Sequence, residues 1–251
     1  MCPIVFVFGN FRFFSYGFFI ALAFITSIFY LSKSLNKSKN KIFSQDELSS
    51  LFIYIMFFGI IGARFLFVIV NFHEFILSPL DIFKIWHGGL VYYGGFISVL
   101  IFLIIYSKIK KLCIRQLGDF FAPALALGHA IGRIGCFFAG CCYGVESNFP
   151  CAVVFNNKYS LATTGVPLHP TQLYEAFGNF IIFVFLHFYS KKKHKIGALF
   201  VFYIIIYAVL RFVIEFFRGD YRGVCYFCLS ISQVISVLLF LIGVFYICKR
   251  E

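Results

Sequence analysis

The chain has 251 residues, 61% of them hydrophobic and only 13% charged, where a soluble domain of this length carries about 25% charged residues. Its 39 phenylalanines and mean hydropathy of +0.93 exclude an ordinary soluble domain and point to a polytopic membrane protein. The net charge of +12 does not indicate nucleic acid, because the basic residues lie in short clusters between apolar runs, as topology determinants beside anionic lipid do.

Seven apolar runs approach the ~20 residues that span a bilayer. The first, 13–31, opens on Ser15-Tyr16-Gly17; it lacks a Lys/Arg-rich start and a small-x-small cleavage site, so it reads as a span and not as a signal peptide. The second, 48–70, holds Arg64. The third, 90–106, is short and overlaps WHGGLVYYGG, residues 86–95. The fourth, 117–139, carries Asp119 and Arg133, is interrupted by glycines and a proline, and runs into GRIGCFFAGCCYG, residues 132–144. The longest connection, 140–170, contains NFPCAVVF, which forms a short strand or lies against the membrane. The fifth run, 171–189, starts inside HPTQLYE, residues 169–175; the sixth, 197–217, contains most of RFVIEFFRGD, residues 211–220; the seventh is 227–248. The runs are apolar throughout and lack the alternation of a barrel strand, so they are helices. No period of 20–50 residues signals repeats. The expected fold is an all-α integral membrane protein of about seven transmembrane helices. It forms one polytopic domain over 1–251, with a short external loop region at about 140–170.

Lys and Arg set the orientation. The first loop, third loop, fifth loop and C-terminus carry fourteen of them, including Lys33, Lys108, Lys191 and Lys249, whereas the opposite side has Arg12, Lys84, Lys158, Arg218 and Arg222. The positive-inside rule then puts the N-terminus outside and the C-terminus in the cytoplasm.

Arg64, Arg133, Arg211, Asp119, Glu175 and Glu215 fall inside or at the edge of spans. Charges there are paired between helices or face a polar cavity. Arg211 and Glu215 are four apart and share a helix face. In this topology Arg133, Glu175 and Glu215 lie towards the outer halves of their helices, with His169 at the outer mouth of the fifth and Arg218 and Asp220 beyond the sixth. The expectation is a polar cavity opening outwards between helices four, five and six. Fixed guanidiniums there suit a phosphate, and the abundant phosphate of a bilayer is a phospholipid head group. Gly128, Gly132, Gly135, Gly140 and Gly144 permit close approach either of another helix or of a ligand.

HPTQLYE, the GRIG stretch, WHGGLVYYGG, RFVIEFFRGD, NFPCAVVF and the SYG of residues 15–17 together resemble the bacterial prolipoprotein diacylglyceryl transferases, in that family's order and from the first span to the last. The resemblance implies a multi-pass protein of the bacterial inner (plasma) membrane. It implies transfer of a diacylglyceryl group from phosphatidylglycerol to the lipobox cysteine thiol of a prolipoprotein. The partners it implies are phosphatidylglycerol, the prolipoprotein signal-peptide region and membrane lipids, with no nucleic acid and no cofactor. It places Arg133 on the lipid phosphate and Arg211 as the second essential arginine. Glu175 closes HPTQLYE, Glu215 orients an arginine, Tyr16 lies near the lipid path, and Asp119 matches an aspartate at the start of helix four.

The family's helix-three histidine, proposed as base, is replaced here by Tyr93, and an unperturbed tyrosine with a pKa near ~10 is a poor base at neutral pH. His169 is then either a substitute base or a structural hydrogen-bond donor. Cys136 and Cys141 stand where the family has Asn and Glu. Of nine cysteines, seven fall outside or at the outer surface. Cys136, Cys141, Cys142, Cys225 and Cys228 fit three readings: disulfides between outer loops, a metal site, or redox-active or lipid-accepting thiols. The alternative function is a family relative that keeps the lipid-binding scaffold but modifies another acceptor, or acts as a thiol-redox or metal-binding membrane protein.

Overall fold

The computed structural model describes residues 2–8, 11–37, 42–84, 88–220 and 229–249. All seven expected runs are helices: α1 (Ser15–Lys37), α2 (Gln45–Val70), α4 (Tyr92–Ile109), α5 (Ile114–Ala139), α6 (Thr171–Tyr189), α7 (Ala198–Glu215) and α8 (Ile231–Cys248), with a short α3 (Phe72–Leu77) after α2. Among the described residues, six of these are long and apolar enough to cross a membrane. The exception is α6, whose first turns carry Gln172, Glu175 and Asn179, all fully buried. Apolar side chains such as Phe29, Ile53, Phe65, Phe177, Ile242 and Phe245 face outwards while these polar groups are inside. That inverts the pattern of a water-soluble domain, and it is what an all-helical multi-pass membrane protein requires.

The chain forms two compact units. The first comprises Met1–Leu31 and Gly118–Glu251. It begins with an antiparallel hairpin, β1 (Ile4–Phe8) and β2 (Phe11–Phe14), which the span-based reading missed. Its sequence signal is two β-rich runs on either side of a Gly-Asn pair. The glycines of α5 answer one open question: a Cβ on Gly135 would lie 2.8 Å from the Phe19 Cβ, and one on Gly128 would lie 2.9 Å from the Ser27 Oγ. They are the seam on which α1 packs. Asp119, expected among the intramembrane charges, accepts hydrogen bonds from the backbone N–H groups of Gly197 and Phe200 and so caps α7 from α5. Asp119→Ala is expected to lower stability by about 1 kcal/mol, read as a lower unfolding temperature in detergent; an unchanged midpoint would remove the cap from the account.

The connection after α5 carries β3 (Val153–Val154), the short strand expected within NFPCAVVF, paired antiparallel with β4 (Pro167–Leu168). Gly144 donates its N–H to the His169 carbonyl at 3.0 Å, Val145 to Phe217 at 2.9 Å, and Gly219 to Tyr143 at 3.1 Å. This ladder ties residues 143–145 to the start of α6 on one side and to the end of α7 on the other.

The second unit is Ser32–Leu117. Ser44 and Glu47 form a reciprocal capping box at the start of α2. A Cβ on Gly95 would lie 2.7 Å from the Gly59 carbonyl oxygen, and this close crossing lets α2 and α4 pack along Gly59, Gly62, Gly94 and Gly95. Arg64 is buried here. It donates to the carbonyls of Asp81 (2.6 Å), Gly88 (2.7 Å), Ile82 (2.9 Å) and Gly89 (3.1 Å) and lies over the rings of Phe67 and Phe75. Its charge is neutralised by peptide dipoles and ring faces, so it ties the segment after α2 to its helix.

Candidate active site

Within the first unit, Glu175 is the hub. It lies one turn into α6 and is wholly buried. Arg133 reaches it from α5, Nη2 to Oε1 at 3.0 Å. Tyr207 on α7 donates its hydroxyl to the same oxygen at 3.4 Å. On the other oxygen, Arg211 Nη1 and Arg218 Nη1 stand at 3.7 and 3.9 Å from Oε2, close enough for ion pairing and too far for hydrogen bonds. Among the described residues Glu175 Oε2, Arg211 Nη1 and Arg218 Nη1 make no hydrogen bond.

Each arginine is held from behind. His129, one turn before Arg133 on α5, accepts from Arg133 Nε at 3.2 Å through Nε2, which makes the ring neutral with its proton on Nδ1. Arg211 pairs with Glu215 one turn on, at 2.7 Å, and donates to Ser232 Oγ at 3.2 Å. Ser230, which caps α8, donates to Glu215 at 2.7 Å. Arg218 makes a two-pronged pair with Asp220 at 2.9 and 2.8 Å. Three guanidiniums and three carboxylates therefore share one largely buried cluster with no net charge. An added anion would find unsatisfied cationic N–H groups there.

The structure brings together Arg133, Arg211, Glu175 and Glu215, as the sequence reading expected. Tyr16, on the first turn of α1 and half exposed, lies within electrostatic reach of Arg133 and of the nearby cysteines. His169 is placed differently: Nδ1 pairs with the Tyr174 hydroxyl at 3.1 Å and the ring packs against Phe149 and Phe217. None of its described contacts is to an arginine of the cluster. Tyr93 belongs to the second unit, on the first turn of α4, exposed and edge-on to Tyr92. Sequence reasoning missed His129 and Tyr207. Each stands one turn before an arginine on the same helix, and that spacing is the signal.

The seven described cysteines, Cys2, Cys113, Cys136, Cys141, Cys142, Cys151 and Cys248, are all free thiols. Cys225 and Cys228 lie outside the described residues. Hydrogen bonds from the Cys136 and Cys141 thiols, supported by the Arg218 and Arg133 guanidiniums, lower the pKa of Cys142. Hydrogen bonding to Cys136 and Cys142 raises that of Cys141.

A family model described as prolipoprotein diacylglyceryl transferase matches residues 3–249. The phosphatidylglycerol–prolipoprotein diacylglyceryl transferase of Clostridium tetani (strain Massachusetts / E88) is 37% identical over 245 residues, covering 98% of this chain and 96% of the relative. Phosphatidylglycerol–prolipoprotein diacylglyceryl transferase 2 of Clostridium perfringens (strain 13 / Type A) is 35% identical over 234 residues, 93% and 89% of the two chains. The Escherichia coli O1:K1 / APEC protein bearing the first of these names is 30% identical over 265 residues, 96% and 90%.

Proposed function

The chain belongs to the prolipoprotein diacylglyceryl transferase family, and from that premise we propose that it transfers a diacylglyceryl group from phosphatidylglycerol to the lipobox cysteine thiol of prolipoproteins. It is a transferase of the bacterial cell membrane. Its relatives' names support this reading over a different acceptor or a thiol-redox role.

The observation that carries the mechanism is the shared carboxylate: Arg133 and Arg211, from two different helices, point at Glu175 from either side. In the reaction the acceptor sulfur forms a bond to the glycerol carbon, the carbon–oxygen bond to phosphate breaks, and glycerol phosphate leaves with the electron pair. Negative charge builds on the departing phosphate. The fork of Arg133 and the unsatisfied Nη1 of Arg211 meet that charge, and such preorganised donors count most where water is excluded. Glu175 and Glu215 hold the two guanidiniums in place before lipid arrives, so little reorganisation accompanies the step. Tyr16 lines the path of the lipid. His169, with Nε2 free among the described residues, takes the acceptor's proton.

The test is complementation. Cells depleted of their own transferase and expressing this chain are expected to convert precursor lipoprotein to the diacylglyceryl form, read as the mass gain on the lipobox peptide. A chain that is well expressed and inserted but leaves the precursor unmodified would overturn the proposal.

A further inference from the structure

Three thiols converge beside the arginine cluster, and the transfer step above uses none of them. Cys136 is on the last turn of α5 and is buried; Cys141 and Cys142 follow the helix end and are half-buried. Their sulfur atoms all lie within 4.8 Å of one another. The chain has to turn back to achieve this. Gly140 has φ +79° and Cys142 φ +61°. The left-handed region costs a residue with a Cβ roughly 1–2 kcal/mol, so the surroundings hold it there. They do so from the start of α6: Gln172 Nε2 donates to the Cys141 carbonyl at 2.7 Å and Thr171 Oγ1 to the Cys142 carbonyl at 2.8 Å. Both side chains are fully buried. The cysteine turn is therefore fixed by the helix that carries Glu175.

A tetrahedral zinc ion with Zn–S of ~2.3 Å sets its sulfur ligands roughly 3.8 Å apart, a spacing compatible with three sulfur atoms that all lie within 4.8 Å of one another. Three thiolates on a divalent cation carry a net negative charge. The Arg218 and Arg133 guanidiniums, within electrostatic reach of Cys142, offset it. Zinc with three protein ligands keeps a fourth position for a reactant. A thiol entering that position is deprotonated by the metal. The proposed transfer alkylates a thiol.

We propose that Cys136, Cys141 and Cys142 bind one thiophilic divalent cation of the zinc type, whose fourth coordination position takes the acceptor thiol. The second half rests on the transferase reading; the metal site itself does not. The acceptor thiol binds as thiolate and gives its proton to His169, the base of the transferase reading above. Its sulfur then forms the bond to the glycerol carbon as the carbon–oxygen bond breaks, and the pair leaves on glycerol phosphate. The thioether product is a weaker ligand and departs. The three protein thiolates stay on the metal, and no group changes oxidation state.

The full-length chain, purified in detergent under reducing conditions, is titrated with Co(II). One equivalent per chain is expected, with the sulfur-to-cobalt charge-transfer band and visible absorption of a tetrahedral thiolate site, displaced by Zn(II). Cys142→Ser and Cys136→Ser should each weaken zinc binding by more than about 100-fold, since losing even an outer-shell partner costs ~10–100-fold. If either variant fails to fold, zinc protection of Cys136, Cys141 and Cys142 from alkylation in the unmodified chain, mapped by peptide mass, gives the same answer. A lipobox-cysteine peptide should intensify the charge-transfer band. No thiolate band, equal binding by the variants, or a disulfide among the three would overturn the site. A peptide that leaves the band unchanged would overturn the role of the fourth position. Transfer by metal-free protein at the full rate would sink that role and leave the transferase reading standing.

Discussion

Replacing Arg133 with alanine is expected to slow diacylglyceryl transfer by at least about 10²–10³-fold, the cost of removing one preorganised donor from developing charge. Arg133 is the only arginine whose guanidinium makes a direct hydrogen-bond-length contact with Glu175 among the described residues, at 3.0 Å. It comes from α5, whereas Arg211 comes from α7, so neither can move into the other's place. Arg133→Lys should recover part of the rate, because an ammonium keeps the charge and loses the planar fork. Initial rates with phosphatidylglycerol and a lipobox peptide, followed by product mass, give the result. An alanine variant that works at nearly the unmodified rate would put the phosphate elsewhere.

The second large effect is expected at Glu175. Glu175→Gln keeps the shape and removes the charge, leaving Arg133, Arg211 and Arg218 together with only Glu215 and Asp220 to balance them. Breaking a buried ion pair on one side costs roughly 3–5 kcal/mol. The unfolding temperature in detergent should fall steeply, and transfer should be lost with it. Phosphatidylglycerol should raise the variant's midpoint more than that of the unmodified chain, because its phosphate supplies the missing negative charge. Equal shifts for the two proteins would mean that the lipid does not meet these arginines.

The contacts that converge on Glu175 show how far sequence carries into a site. Arg211 and Glu215 could be paired from their spacing alone, since residues four apart on a helix are neighbours. HPTQLYE and GRIG could be matched to a family. His129 and Tyr207 went unnoticed because a histidine or tyrosine on an apolar helix says nothing of its partner until the facing helix is known. Asp119 looked like one more intramembrane charge and is a helix cap, because its partners are two backbone N–H groups on α7. His169 could be read as either a base or a structural hydrogen-bond donor; its Nδ1 is on Tyr174 and its ring lies among aromatic side chains.

The sequence by itself determined the solvent and the elements. Runs of apolar residues near the spanning length made seven helices, because in hydrocarbon a backbone can satisfy its own polar groups only that way. It also determined which charges were out of place, since their cost depends on local hydropathy. Only the tertiary structure decided what those charges do. Arg64 and Arg133 sit in similar apolar runs, yet one binds peptide carbonyls and the other a carboxylate and a histidine. The three thiols of GRIGCFFAGCCYG meet because Thr171 and Gln172 pin the turn that follows α5. Those outcomes depend on which helices lie side by side, and long-range packing, not local pattern, sets that.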